Sequence, residues 1–181
     1  MKNGLVAYVL RLSVTLLLIA AVVAAALAGV NSITAPEIAR RNAEKTQKAI
    51  EAVLPGGGQE VAFTDETGLV TTVYKGENGY AVQVAPVGFD GAISMMVGID
   101  LEGKVLGISV ISQTETAGLG AVCAAATSAG EAFRNQFVGL SGVLAVTKDG
   151  GTIDAITGAT ITSRAVTQGI NAALACVANF G

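Results

Sequence analysis

The chain has 181 residues, 51% of them hydrophobic, a formal net charge of −3 and no histidine. That excludes haem with a proximal His, mixed Cys/His zinc sites and a Ser-His-Asp triad, and two cysteines are too few for an iron–sulfur cluster. Lys2 and Arg11 are the only charged residues before Asn31, so of the net −3 the remainder carries −5, a balance without the basic footprint that nucleic acid requires.

The first element is Leu12–Val30, LSVTLLLIAAVVAAALAGV, nineteen residues without a charge. As a helix this run is about long enough to span a bilayer core of about 30 Å. Extending it back to Leu5 takes in Arg11, whose long side chain can reach the membrane surface. Lys2 and Arg11 precede the run and no basic residue lies between Asn31 and Ile38, so the positive-inside rule puts the N-terminus in the cytoplasm and the rest outside. A cleavable signal peptide is the competing reading, with Ala24-Ala25-Ala26 imitating a cleavage site. The run is longer than a usual signal core, which favours a retained anchor. Both readings send the following residues across the membrane.

Next, Thr34-Ala35-Pro36-Glu37 reads as a capping box with proline in the first turn, starting a charged helix to about Val53. Arg40, Arg41, Glu44, Lys45, Lys48 and Glu51 form a solvated face, Ile38, Ile50 and Val53 pack inward, and Pro55-Gly-Gly-Gly ends it. The chain therefore divides into an N-terminal tip and anchor over 1–33, a helical stalk over 34–58 and an extracytoplasmic domain over 59–181.

Within that domain, strand-like runs occur at Val61–Phe63, Val70–Tyr74, Tyr80–Ala85, Ala92–Ile99 and Val105–Ser112. Turns at Glu77-Asn-Gly, Phe89-Asp-Gly and Glu102-Gly separate them, as antiparallel hairpins require. Ala121–Gln136 reads as a helix weakened by Gly130, Val143–Thr147 as a further strand, Lys148-Asp-Gly-Gly as a turn and Ala165–Phe180 as the last helix. The fold class is α+β: a transmembrane helix, then a small mixed domain with a mainly antiparallel sheet and flanking helices. Cys123 and Cys176 fall in alanine-rich helical stretches, where a buried small hydrophobe is the default; a disulfide is the minority reading. There is no dinucleotide fingerprint, hence no sign of a nicotinamide site.

Ahead of the last helix, Asp154-Ala155-Ile156-Thr157-Gly158-Ala159-Thr160 runs into Ile161-Thr162-Ser163. Four hydroxyls and a glycine at a helix start can receive an anion such as phosphate, because the first N–H groups there are unpaired. The same residues fit an ordinary N-cap, Thr160-x-x-Ser163 included. On spacing alone both readings stand.

The string D-A-I-T-G-A-T resembles, at every specified position, the D-x-x-(S/T)-G-A-T motif of FMN-binding domains that carry FMN covalently. The resemblance implies that a flavin transferase joins FMN phosphate to Thr160. Gly158 and Ala159 would keep its surroundings slim, Thr157, Thr162 and Ser163 would hold phosphate oxygens, and Asp154 would order the turn or assist the transfer. A second segment, Glu115-Thr116-Ala117-Gly118-Leu119-Gly120, is similar to the E-T-P-G-L-G loop of small membrane-anchored flavoprotein subunits of ion-pumping redox complexes. Its departure is Ala117 for proline, which puts the stiffness of the loop in question. This loop is expected to approach the flavin ring, with Leu119 against its face.

Together with the anchor, the resemblance covers nearly the whole chain and points most to the G-subunit family of Rnf complexes, ion-translocating ferredoxin:NAD⁺ oxidoreductases. The C subunit of the sodium-pumping NADH:quinone oxidoreductase is the near alternative. The family implies one FMN, a one-electron relay, partner membrane subunits and no complete reaction of its own. A stand-alone anchored flavoprotein and a non-redox binding domain with a Thr-rich cap are the readings from other classes. With no Trp in the chain, ring stacking falls to aliphatic side chains, Phe or Tyr.

Overall fold

The computed structural model describes residues 2–180, and side chains at 8 and 10–180. The Lys2 side chain, one of the two charges behind the orientation expectation, lies outside the described residues, as do the terminal Met1 and Gly181. The chain divides into two compact units, one ending at Glu44 and one beginning at Lys45.

Helix α1, Lys2–Val53, supplies all the described residues of the first unit and continues into the second. It is long and apolar enough over Leu10–Val53 to cross a membrane, and none of its most apolar stretch is buried. Leu16, Leu17, Val22 and Leu27 all stand exposed, which water would penalise and lipid would not. Its hydroxyls turn back on the helix. Thr15 Oγ1 donates to the Arg11 carbonyl (2.9 Å), Ser32 Oγ to Gly29 (2.8 Å) and Thr34 Oγ1 to Val30 (3.0 Å), so they need no outside partner.

The helix start expected at Thr34 is not there, because α1 runs unbroken through Pro36. Thr34 spends its hydroxyl on the preceding turn rather than on a cap. Proline removes a single intrahelical donor, and beyond it the helix carries a ladder of exposed ion pairs. Glu37 takes Arg40 (2.9 Å) and Arg41 (2.8 Å), and Glu44 takes Arg40 (3.2 Å). The helix stops where the sequence puts the stop, at Pro55-Gly56-Gly57, with Gly57 N–H on the Leu54 carbonyl (2.9 Å).

In the second unit, β1 (Gln59–Val61), β2 (Val70–Lys75), β3 (Gly79–Val84), β4 (Ser94–Asp100) and β5 (Val105–Ser112) form one sheet in chain order. Every pairing is antiparallel. Alternation sorts the side chains by face. Val82, Val84, Met95, Val97 and Ile99 join the larger core with Phe133, Phe137, Val166, Ile170 and Ala173. Ala81 and Met96 face the other way and are covered by Ala49, Ile50, Val53 and Leu54 from the end of α1. Val70 and Val73 reach the same core although three apart, because a bulge between Val70 and Thr72 shifts the register.

Two expected elements come out differently. Residues 121–136 are a short 3₁₀ turn, Gly120–Ala124, and a separate helix α2, Ser128–Asn135. Thr127 is extended and caps α2 by accepting the Gly130 N–H (3.3 Å). Arg134 Nη1 donates to the Cys123 and Ala125 carbonyls (2.8 and 3.1 Å), satisfying groups a continuous helix would have paired. Over 143–147 there is no strand: only Val146 bridges, in parallel, to Ile153. Asn171 takes both backbone groups of Leu144 instead, accepting its N–H (2.9 Å) and donating to its carbonyl (2.8 Å). The last helix, α3, is Thr160–Ala178, five residues earlier at its start than the sequence suggests. Cys123 and Cys176 are free, buried thiols in the core.

Candidate functional site

The two motifs that stand 34 residues apart in the sequence meet across one cavity of about 350 Å³, within the range of small-molecule sites. β5 delivers the loop Gln113–Leu119 to one side, and the loop before α3 with the first turn of that helix delivers Gly158 to Thr162 to the other. The hydrogen bonds of each loop explain why it holds its shape.

In the first loop, Leu119 and Ala121 N–H groups both donate to the Thr116 carbonyl (3.2 and 3.1 Å). These bonds close the turn that Ala117, in place of proline, leaves unrestrained. Glu115 is a buried carboxylate, 6% exposed. Its Oε1 accepts the Asp90 N–H (2.9 Å), and its Oε2 accepts a short hydrogen bond from the Thr162 hydroxyl. One side chain thus ties the β3–β4 loop, the post-β5 loop and the first turn of α3. Gly88 and Gly120 make room for it: a methyl group on Gly88 would lie 2.5 Å from Glu115 Oε1, and one on Gly120 would lie 2.5 Å from Thr162 Oγ1.

The second loop is splinted from beneath by Ser163. Its hydroxyl donates to the Ala159 carbonyl (2.9 Å) and accepts the Ile156 N–H (3.0 Å). Gln136 holds both backbone groups of Asp154 (2.7 and 3.1 Å). Gly158 turns the chain at φ +76°, a conformation that costs other residues energy. Ala159 then precedes α3 without a side-chain cap, so the first N–H groups of the helix keep no side-chain acceptor there.

Glu115, Thr116, Leu119, Gly120, Gly158, Ala159, Thr160 and Thr162 line the cavity. Gly118, Asp154 and Thr157 border a neighbouring depression instead, and Ser163 lies fully buried below both. The Thr162 and Ser163 hydroxyls are spent on protein partners. The Asp154 carboxylate makes no hydrogen bond among the described residues, and the turn is ordered through its backbone.

Sequence reasoning missed Phe89, Lys148 and Ile161, which also line the cavity. Lys148 Nζ donates to Thr160 Oγ1 (3.1 Å). Its turn, Thr147–Asp149, is pinned to α3 by Asp149 and Arg164, which pair through two hydrogen bonds (2.7 and 2.5 Å). The Arg164 hydrogen bond holds the Asp149 carboxyl below its usual range. Nearby, burial first and the Glu115 charge second push the Cys123 thiol up to about 11. Phe89 had a readable signal, since a large aromatic beside the Asp-Gly of a turn has no place in the alternation that fills the core. Lys148 had none, because its reach depends on how the turn docks.

Among the described residues no group of His, Cys, Asp and Glu is arranged to hold a metal ion. The donor set suits an organic phosphate: a hydroxyl and an ammonium at a helix start, beside an apolar wall of Phe89, Leu119 and Ile161.

Comparison with known proteins bears on the same residues. The FMN-binding domain family matches residues 88–175, and the RnfG N-terminal region matches residues 1–53. The chain is 34% identical to the G subunit of the Na(+)-translocating ferredoxin:NAD(+) oxidoreductase complex of Acetobacterium woodii, over 95% of this chain and 93% of that protein. It is 33% identical to the G subunit of the ion-translocating oxidoreductase complex of Methanosarcina acetivorans, over 91% and 92%. The G subunit of the ion-translocating oxidoreductase complex of Escherichia coli K12 is 33% identical, over 88% and 86%. The chain belongs to the Rnf G-subunit family. Both loops of the cavity and nearly all of α3 fall inside the FMN-binding match, and α1 coincides with the N-terminal match. Membership in this family, with a helix able to span a bilayer, makes the chain a membrane protein.

Proposed function

We propose that this chain is the electron-relay subunit of a membrane-bound, ion-translocating oxidoreductase and carries one FMN joined through its phosphate to Thr160. The observation that carries the reading is the position of Thr160 Oγ1. It opens α3, faces the cavity shared by the Glu115 and Asp154 motifs and is met there by an ammonium group. When bound, FMN supplies one-electron transfer chemistry, and the protein's task is to hold and orient it.

Each residue then has a part. Thr160 provides the ester oxygen, and the open N–H groups at the start of α3 face the phosphate. Gly158 and Ala159 keep the approach to Thr160 narrow and free of bulk. Phe89 and Leu119, 69% and 43% exposed, supply apolar surface for the ring. Thr116, Gly118 and Gly120 shape the loop that carries Leu119, and Glu115 holds that loop to α3. Ser163 supports Thr160 from below, Thr157 flanks the turn, and Asp154, exposed next to it, is left for recognition by the flavin transferase that matures the protein.

A covalent bond abolishes cofactor dissociation, which matters for a domain outside the cell. That location follows from Lys2 and Arg11 ahead of the apolar run, with the N-terminus cytoplasmic. The partners are the other subunits of an Rnf-type complex.

The test is the intact mass of the full chain from its native membrane, with peptide mapping across residues 149–164. The expected result is an addition of one FMN less one water on Thr160, absent from a folded Thr160→Ala variant. An unmodified Thr160 in native material would return the motif to a helix start and end the reading.

A further inference from the structure

The structure assigns to Lys148 the role of counter-ion for the phosphate at Thr160, kept available by the Arg164–Asp149 pair; this rests on the FMN reading above. The cavity wall holds two ionisable side chains, Glu115 and Lys148. Glu115 is committed, since the Asp90 N–H and the Thr162 hydroxyl occupy its two oxygens. Lys148 is in the opposite state. Among the described residues its ammonium makes one hydrogen bond, to Thr160 Oγ1 at 3.1 Å, and no carboxylate lies within ion-pair distance.

The nearest carboxylate in sequence, Asp149, is drawn away. Arg164, exposed on the first turns of α3, takes both Asp149 oxygens (2.7 and 2.5 Å), a planar fork on a planar acceptor. Two consequences follow. The 3₁₀ turn is held against α3, which brings Lys148 over Thr160. The acid next to Lys148 is neutralised, so the ammonium keeps its charge for a ligand anion. An ammonium carries three donors, and a hydroxyl of the protein uses one of them. A phosphate placed on or beside Thr160 Oγ1 presents its free oxygens to the other two.

Riboflavin and FMN differ by that phosphate, and comparing them isolates the contact. The full-length apoprotein, made without a transferase, is titrated with each flavin by fluorescence at low ionic strength, where an exposed contact is least screened. Wild type is expected to prefer FMN over riboflavin. Lys148→Met should weaken FMN binding about five- to tenfold, somewhat less than a buried charge-assisted hydrogen bond because Lys148 is exposed to solvent. Riboflavin binding should be unchanged, and Lys148→Arg should restore most of the preference. Arg164→Gln releases Asp149 to compete for Lys148 and should cost FMN about threefold, with recovery in the Asp149→Asn/Arg164→Gln double variant.

An equal FMN preference in wild type and Lys148→Met overturns the assignment, as does a wild type with no preference. A loss in Arg164→Gln that the double variant does not recover overturns the part given to Asp149. Near-UV circular dichroism of each variant separates these effects from misfolding. Native protein modified at Thr160, with FMN binding indifferent to Lys148, would sink this inference alone. An unmodified native Thr160 sinks the covalent reading and leaves the titration to judge the phosphate contact.

Discussion

Removing the Glu115 carboxylate should unfasten the cavity. In Glu115→Ala, the Asp90 N–H, held at 2.9 Å, and the buried Thr162 hydroxyl both lose their acceptor. The buried hydroxyl, left unsatisfied, costs about 1–3 kcal/mol, and the N–H of Asp90, an exposed residue, adds less because water can reach it. Relief from burying a charge offsets part of this, so a net loss of about 1–3 kcal/mol is expected. That is a large share of the roughly 5–15 kcal/mol that stabilises an ordinary domain. At about 2–4 °C per kcal/mol for a chain of this size, the melting point should fall by roughly 2–12 °C.

Glu115→Gln keeps the acceptor for Asp90 but turns a donor toward Thr162, and should cost about 1–2 kcal/mol. The assay is unfolding of the full-length apoprotein in detergent, followed by tyrosine fluorescence. With no Trp in the chain, Tyr74 and Tyr80 in β2 and β3 report on the sheet above the contribution of Tyr8 in α1, which a Tyr8→Phe background removes. Thr162→Val completes a double-mutant cycle with Glu115→Gln, and the coupling should exceed about 0.5 kcal/mol. A Glu115→Ala variant within about 0.5 kcal/mol of wild type, or an additive cycle, would refute the idea that this carboxylate ties the loops together.

Gly158→Ala should cost about 1–2 kcal/mol, because φ is +76° there and the new methyl would lie 2.9 Å from Leu119 Cδ2. It should also slow flavin attachment by moving Leu119 into the cavity, which mass spectrometry after a short co-expression with the transferase would detect. In the native apoprotein at pH 8, alkylation of Cys123 should be at least about 100-fold slower than in urea. Burial holds that thiol up at about 11, whereas an unfolded cysteine titrates near 8.5. Labelling at the same rate in both states would show an exposed thiol. Thr160→Ala should leave the unfolding free energy within about 1 kcal/mol of wild type while removing all covalent flavin, since a partly exposed hydroxyl contributes little to stability.

Local sequence was a good guide where local rules decide the outcome. All five strands lie within two or three residues of the runs read from alternation, and the Asn-Gly, Asp-Gly and Glu-Gly turns sit between them. The apolar run and the Pro55-Gly-Gly-Gly stop likewise mark a helix that lipid must cover and the point where it ends. Sequence failed where a distant side chain outbid the local preference. Leu144 looks like strand, yet Asn171 satisfies its backbone. Residues 121–136 look like one helix, yet Arg134 takes the carbonyls at the break and Thr127 starts α2 afresh.

For the site, the two motifs were legible as compact sets of residues, and their resemblance to FMN-binding domains, not their spacing, singled out Thr160 before any fold was known. Which hydroxyls were free could not be read. Thr162 and Ser163 look equivalent to Thr160 in sequence, but helical spacing turns them inward, onto Glu115 and the loop backbone. Lys148 was equally hidden. Twelve residues separate it from Thr160, and only the docking of its turn through Asp149 and Arg164 brings the ammonium to 3.1 Å. Residue type and short spacing decide what chemistry a segment can offer, and those are written along the chain. Which groups remain unspent once the core has closed depends on contacts between segments far apart, and folding alone decides that.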